Sequence, residues 1–354
     1  MNILLIIKRF DFGGSENHVQ ELANHLVQMG HQVILIGGDG EQKKHLLPAV
    51  RFYKTRMTDA LMIVNLIKII FLVKRHKIDI IHSHQRLAIM IGAIAGLITR
   101  CKVVATVHGR TRYDMRSRLS RSLTDRIIFV SKSVYELSPR HYLINDKSVV
   151  IPNGIKLKSY NQSPKPFRLC YICRIDKSHF SFLKLMIEEV LDSLIEAYPL
   201  LELQIVGEGI MKEKLCNLTE KFNAKYNSNR CNVIGYAFSV DSYIQQASVV
   251  LGVGRVAIET LAAGVPLISV NSRRMSGLVT RENYERLKVS NFIDITAPIP
   301  NSNNLSITIN SFFSNQNHFQ NEALSLAKQV QEDFSLEKIT NKTISVYNEL
   351  QIKM

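Results

Sequence analysis

The sequence predicts an α/β protein built of two doubly wound domains facing each other across a cleft, and three observations carry that prediction. Short, continuously apolar β-branched runs alternate with longer amphipathic stretches along the chain, the pattern of parallel strands covered by helices on both faces. The 354 residues are about twice the usual single-domain length of about 100–200. The strand–helix series also restarts after Pro152, and Asn161-Gln-Ser-Pro-Lys-Pro166 is a polar, proline-bearing linker.

In the first half the apolar runs 3–7, 32–37, 78–82, 102–107, 126–130 and 148–151 read as strands, with helices at 17–29 and 58–75. In the second half the strands fall at 168–172, 201–206, 232–234, 249–253 and 265–270, with helices at 180–196, 211–225 and 255–263. Residues 301–317, rich in Asn and Ser, read as a loop followed by a short helix, and 319–350 as one or two helices. In such sheets ligands sit beyond the carboxyl ends of the strands.

A hydrophobic content of 46% is ordinary for a globular protein. No apolar run approaches the roughly 20 residues of a membrane span; the longest, 60–73, is interrupted by Asn65 and Lys68. The run 3–7 is too short for a secretory leader, and an odd set of five cysteines fits a reducing compartment, so a cytoplasmic protein is expected. Lys and Arg exceed Asp and Glu by 15, and the stretch 51–126 alone holds 12 of that excess. A surface facing something anionic, whether nucleic acid, acidic lipid or a phosphorylated substrate, is one reading; an ordinary solvated face is the other.

The strongest local motif is Leu251-Gly-Val-Gly-Arg-Val-Ala-Ile-Glu259, a strand running through two glycines into a helix. Glycines admit a ligand to the backbone, and a helix N-terminus offers free N–H groups to a phosphate. Gly254 and Arg255 stand at that start. Glu259, about one turn in, suits the two hydroxyls of a ribose; a surface glutamate on a structural turn is the plain alternative. Arg168-Leu-Cys-Tyr-Ile-Cys-Arg174-Ile-Asp-Lys177-Ser-His179 is a strand that delivers a basic loop, with Arg174 suited to a diphosphate. Cys170 and Cys173 are a lone pair without a zinc-spaced second pair, so buried thiols are expected. Gly207-Glu-Gly209 ends another strand, but Lys212 stands where a dinucleotide fingerprint needs its third glycine.

In the first half, Gly13-Gly14-Ser15-Glu16 follows a strand, with Ser15 read as an N-cap. His82 and His84 read as strand-end packing or as a metal pair. Neighbouring strand residues alternate faces and no carboxylate completes a ligand set, so no metal is expected there. His108, before Gly109, is read as an exposed ring. Arg110, Arg112, Arg116, Arg118 and Arg121 share a segment with Met115, Leu119 and Leu123, a basic amphipathic helix of the kind that lies on anionic membrane. Nucleic acid fits the charge, but no recognition motif accompanies it. The apolar segment 61–73 is read as a core helix, with dipping into the same surface as the alternative.

Taken in order, these residues resemble the family 4 retaining glycosyltransferases, sugar-nucleotide enzymes of the GT-B fold. Gly13-Gly14-Ser15-Glu16, Asp79-Ile-Ile-His82-Ser-His84, Thr106-Val-His108-Gly109, Phe129-Val-Ser131, Ile151-Pro-Asn-Gly-Ile155, Arg174, Gly207-Glu-Gly209, Gly235, Glu259 with Ala263-Gly-Val-Pro266, and the closing segments Phe334-Ser-Leu-Glu-Lys and Val346-Tyr-Asn-Glu-Leu350 carry the likeness over nearly the whole chain.

The resemblance implies an N-terminal Rossmann-like acceptor domain with a basic membrane-facing surface (1–160) and a C-terminal nucleotide-sugar domain (161–335). A last helix (336–354) would cross back to the first domain. It implies that His108 faces the donor sugar and that Arg174, with Lys177 or His179, meets the diphosphate. Gly254 and Arg255 would meet the phosphates and Glu259 the ribose, with Gly13, Gly14 and Gly207 lining the donor and acceptor sites. His108, Arg174 and Glu259 are thus the expected catalytic set, with no cofactor and no metal. The partners implied are a nucleoside diphosphate sugar, UDP being the commonest donor nucleotide in the family, a glycan or lipid-linked acceptor, and an anionic membrane surface rather than nucleic acid. That places the protein at the inner face of the cell membrane, in envelope polysaccharide or lipopolysaccharide synthesis.

Three positions depart from the family pattern. Leu251 replaces the first glutamate of its E-x7-E motif, His179 stands where its phosphate lysine belongs, and Lys156 replaces the acid after Asn-Gly-Ile. They set an alternative beside the enzyme: an inactive GT-B-shaped binding or partner subunit. A sugar-nucleotide epimerase on the same plan ranks third.

Overall fold

The computed structural model describes residues 1–11, 13–109, 111–112, 114–156, 158, 160 and 163–352. The chain forms two compact units, Met1–Lys156 together with Phe334–Met354, and Leu157–Asp333. Of the expected linker, Asn161 and Gln162 lie outside the described residues.

Among the described residues the first unit holds a seven-stranded parallel sheet in the order β3-β2-β1-β4-β5-β6-β7. Its strands are β1 (Asn2–Ile7), β2 (Gln32–Gly37), β3 (Arg51–Lys54), β4 (Ile80–His84), β5 (Lys102–Val107), β6 (Arg126–Phe129) and β7 (Ser148–Val150). The two-residue side-chain period of a strand sorts β1 cleanly. Ile3, Leu5 and Ile7 face a core shared with Val19, Leu22 and Leu26 of helix Gly14–Gln28, while Leu4 and Ile6 face Ile69, Leu72 and Ile91 on the other side. The last helix, Leu336–Ile352, joins the first of these cores through Ile339, Val346, Tyr347 and Leu350. Each fully buried aliphatic side chain of that set contributes about 1.5–3 kcal/mol. The return is pinned where Ile155 and the segment Phe334–Leu336 exchange backbone hydrogen bonds of 2.8 Å. Gly154 is needed there, since a Cβ would lie 2.9 Å from Leu336 Cα.

Among the described residues the second unit holds a six-stranded sheet in the order β10-β9-β8-β11-β12-β13. Its strands are β8 (Arg168–Ile172), β9 (Glu202–Val206), β10 (Cys231–Gly235), β11 (Val249–Gly252), β12 (Leu267–Val270) and β13 (Met275–Leu278), all parallel except β13, which runs antiparallel to β12.

Several elements differ from the sequence reading, strand β13 and helix Arg281–Lys288 among those it did not contain. β4 begins two residues later than expected and runs through His84. Helix Arg86–Thr99 was not expected: Leu87, Ala88, Met90, Ile91, Ala93 and Ala95 bury it on several sides, so no polar face marks its period. β3 is a short edge strand whose charged, exposed residues give no apolar run. Residues 301–317 are not a loop, because Asn301 and Asn304 form a capping box that starts helix Ser302–Ser314, and Leu305, Ile309, Phe312 and Phe313 bury one face of it.

Candidate functional site

In the second unit the chain runs outward from β8 in both directions, through β9 and β10 on one side and β11 and β12 on the other. The topological switch point therefore lies between β8 and β11, where an open α/β sheet receives its ligand. Arg174 follows β8 and is exposed. Asp176 caps helix Lys177–Leu185, its carboxylate accepting from the His179 N–H and pairing with His179 Nδ1, both at 3.0 Å. Partial burial raises the Asp176 pKa, but the hydrogen bonds from His179 outweigh it and the net shift is downward. Asp176 thus engages His179, while Lys177 is exposed at the same turn.

The loop after β9 lies against that basic loop, and its glycines are obligatory for a sharper reason than a tight turn. A Cβ on Gly207 would sit 1.8 Å from Cys173 O, and one on Gly209 2.3 Å from Ile175 O. The two loops are sewn by Cys173 N–H to Val206 O at 3.0 Å and Ile175 N–H to Glu208 O at 2.9 Å. On the other side of the switch point Gly254, at φ +62°, caps helix Arg255–Ala262 and donates its N–H to Asn291 O at 2.9 Å. Arg255 Nε donates to Glu259 Oε1 at 2.8 Å, and both side chains are largely buried. Arg255 therefore holds the Glu259 carboxylate as well as charging the helix start. Leu251 is fully buried in β11 between Tyr171 of β8 and Ile268 of β12. Cys170 is a buried free thiol pushed up to about 12 by desolvation, and Cys173 is half-buried and also raised by burial.

In the first unit the switch point lies between β1 and β4. Gly13, at φ +154°, occupies the N-cap of helix Gly14–Gln28, so Ser15 is not the cap; its hydroxyl donates to Glu16 instead. Gln85, a non-glycine residue at φ +69°, sits just past β4. Its Nε2 donates to Glu16 Oε1 at 3.1 Å and Ser15 Oγ at 3.3 Å, and its Oε1 accepts from the Arg9 N–H at 3.1 Å. Left-handed backbone at a non-glycine residue persists where its surroundings hold it, as they do here.

Histidines cluster beside this loop. His82 and His84 are two residues apart on β4 and share a face, their ring centroids 4.3 Å apart. His82 and His84 are thus not separated by the alternation expected of neighbouring strand residues, which divides i from i+1 and not i from i+2. His82 Nδ1 lies 2.6 Å from the Tyr347 hydroxyl and Nε2 2.7 Å from Thr106 Oγ1. His108 is not the exposed ring expected after β5. It is half-buried, its Nε2 lies 3.1 Å from His84 Nδ1, and its ring packs edge-on against His18. Burial drives these groups toward the neutral form, His82 to about 3, His108 to about 4, and His84 well below its ordinary value. The sequence reading missed His18 and Gln85, whose partners are distant along the chain. No local spacing marks them.

The basic helix runs from Met115 to Leu123, capped by Asp114, with Met115, Arg116, Arg118 and Leu119 exposed. Arg112 is exposed just before it, whereas Arg110 lies outside the described residues. Arg121 departs from the expected outward charge, because its guanidinium donates to Pro139 O and Thr111 Oγ1, each at 2.6 Å. Arg116 pairs with Asp59 at 2.6 Å, which ties this helix to the start of helix Met62–Arg75. That second helix is only half core: Asn65, Ile69, Leu72 and Val73 are buried, while Ile63, Val64, Ile67 and Phe71 form an exposed apolar stripe flanked by Lys68, Lys74 and Arg75.

Two α/β sheets of this topology have the GT-B fold. Solved structures agree with the fold. Anabaena Alr3699/HepE in complex with UDP-glucose matches with a TM-score of 0.75 at 15% identity, covering 100% of both chains. A glycosyltransferase from Rickettsia africae matches with a TM-score of 0.77 at 19% identity, covering 99% of this chain and 98% of that one. Residues 12–159 match the sequence model of Glycosyltransferase Family 4.

Among characterised proteins, a subunit of the human phosphatidylinositol N-acetylglucosaminyltransferase is 25% identical over 258 residues, 62% of this chain and 51% of that one. The chain thus spans about half the length of this relative. The phosphatidyl-myo-inositol mannosyltransferase of Propionibacterium freudenreichii is 24% identical over 303 residues, 76% of each chain.

Proposed function

We propose that the chain transfers a sugar from a nucleoside diphosphate sugar, with UDP the favoured nucleotide, to a hydroxyl of a membrane-held glycan or lipid-linked acceptor. The observation that carries the reading is the convergence of Arg174, Lys177, Gly254 and the Arg255–Glu259 pair at the switch point of the second unit. The UDP and UDP-glucose held by the Anabaena protein of the same fold support the choice of donor.

In this reading Glu259, fixed by Arg255, accepts the ribose hydroxyls, and Arg174, Lys177 and the N-terminal amides after Gly254 meet the diphosphate. The bond from the anomeric carbon to the diphosphate oxygen breaks, and a bond to the acceptor oxygen forms on the same face. The departing phosphate takes the acceptor proton. Charge develops on the leaving group, so fixed cations and amides serve the step directly, and no metal or cofactor takes part in it. Hexosyl and N-acetylhexosaminyl donors both fit. His108 keeps the role toward the sugar that the family pattern implies.

The acceptor side rests on the first unit. Its exposed Ile63, Ile67 and Phe71 stripe, joined to the Arg116–Arg118 helix, has the two properties that hold a protein on anionic lipid, buried apolar area and positive charge. The two named relatives act on phosphatidylinositol lipids. We therefore assign the protein to the inner face of the cell membrane, in the synthesis of a lipid-linked envelope glycan. Retention and nucleotide choice are tested by incubating the full chain with UDP- and GDP-sugars and a membrane lipid extract. Glycolipid formed with the donor's anomeric configuration, and lost in Arg174→Ala, supports the reading; no product from any donor contradicts it. The second reading, a non-catalytic partner subunit, is favoured by Leu251 and by His179 facing Asp176. It predicts nucleotide-independent binding to another transferase.

A further inference from the structure

We propose that His18, His84 and His108 form a site for one borderline divalent transition-metal ion, zinc foremost, at the switch point of the first unit. One ring nitrogen from each of the three can be chosen so that all lie within 4.8 Å of one another. The ring centroids stand 5.8 Å apart for His18 and His84, 5.2 Å for His18 and His108, and 5.4 Å for His84 and His108. With zinc–nitrogen bonds of about 2.0–2.1 Å in tetrahedral geometry, neighbouring rings on one ion have centroids roughly 5 Å apart. The 3.1 Å between His84 Nδ1 and His108 Nε2 is likewise close to the separation of two donors on one ion.

The three elements that bring these rings together are unrelated in sequence: a helix after β1, the end of β4 and the residue after β5. Within the trio His84 Nδ1 and His108 Nε2 lie within hydrogen-bond distance of each other. His82, next to it, spends both nitrogens on Tyr347 and Thr106, whereas the facing nitrogens His84 Nδ1 and His108 Nε2 meet only within the trio, and the far nitrogens His84 Nε2 and His108 Nδ1 are buried with no hydrogen-bond partner.

The donor chemistry selects the ion. Three imidazoles without a carboxylate suit zinc, nickel or copper and disfavour magnesium and calcium. His84 is fully buried and His18 nearly so, while His108 is half-buried, which leaves its side as the way in and a fourth position for water. The ion lies outside the transfer step proposed above. One consequence does rest on that proposal: ion and sugar would compete for His108, so zinc would lower transfer.

The test uses the full chain, stripped by chelator and titrated with Co2+ and then Zn2+. The expected result is one Co2+ per chain with the strong visible absorption of a four-coordinate site, displaced by one equivalent of zinc. Loss of a mere outer-shell partner costs 10–100-fold in affinity, so His18→Asn and His108→Asn should each weaken zinc binding at least about 100-fold. Both should do so with unchanged circular dichroism, while the exposed His318→Asn binds as wild type. Wild-type zinc affinity in His18→Asn, or only the weak absorption of hydrated cobalt in the native chain, overturns the site. Stoichiometric zinc binding in a protein that transfers no sugar upholds this site and overturns the proposed function instead.

Discussion

Replacing Gly207 with alanine puts a methyl carbon 1.8 Å from the carbonyl oxygen of Cys173, where real contacts of this kind essentially never fall below 3.0 Å. The backbone there has φ +156°, at the edge of the region that side chains rarely adopt, which costs about 1–3 kcal/mol by itself. To open the gap, the loops after β8 and β9 must part by more than an ångström, loosening Cys173 N–H to Val206 O and Ile175 N–H to Glu208 O. Each such bond is worth about 1 kcal/mol net. The sum is about 2–5 kcal/mol, and at about 2–4 °C per kcal/mol it lowers the second unit's melting temperature by roughly 4–20 °C.

Arg174 sits in the displaced loop, so nucleotide affinity should fall at least tenfold in the fraction that stays folded. Calorimetric unfolding with and without UDP reads both effects. Gly14→Ala is the control, since its Cβ would meet nothing within 4 Å. A Gly207→Ala protein that melts within 1 °C of wild type and binds UDP normally would refute the packing argument.

Other outcomes follow from the same geometry. Tyr347→Phe leaves His82 Nδ1 buried without its 2.6 Å partner and should cost about 1–3 kcal/mol, read by urea unfolding, whereas an unchanged midpoint would mean the contact is idle. His82 and His84 have pKa values far below the unfolded value near 6.5, so the unfolded chain takes up protons first as pH falls. Their contribution is present above that value and lost below it, about 1.4 kcal/mol per pH unit between about pH 6 and 4 for His82, with His84 adding in the same direction. Metal-free protein should therefore unfold in less urea at pH 5 than at pH 7, and equal midpoints would contradict the buried neutral rings. Ile67→Glu with Phe71→Glu should abolish sedimentation with anionic liposomes without lowering the melting temperature, because both side chains are exposed. Retained binding would move the membrane face elsewhere.

The sheets were legible because strands buried on both faces are written as unbroken apolar runs, as in Ile3–Ile7 and Val249–Leu251. Elements without that contrast were not. The edge strand Arg51–Lys54 carries no apolar run, and helix Arg86–Thr99 is apolar on too many sides to show a period. Helix Ser302–Ser314 was written in the sequence, with Leu305, Ile309 and Phe312 at helical spacing behind an Asn cap, but its Asn and Ser content masked it. At the site, Arg255 and Glu259 are four apart on a helix, so their pairing could be read from spacing alone. His18, His84 and His108 could not, since only the parallel crossovers bring them within reach. Arg121 looked like its arginine neighbours, and only the position of Pro139 and Thr111 turns it inward.

Glu259 and the loops beside it form the proposed nucleotide site. The most direct test is a melting-temperature panel of UDP, GDP, ADP, dTDP and CMP on wild type and Glu259→Ala. A nucleotide at 100 times its Kd stabilises by about 2.7 kcal/mol. The account predicts that UDP raises the wild-type transition by several degrees and that Glu259→Ala, melting normally on its own, loses the rise. No rise with any nucleotide, or an equal rise in the variant, would contradict it.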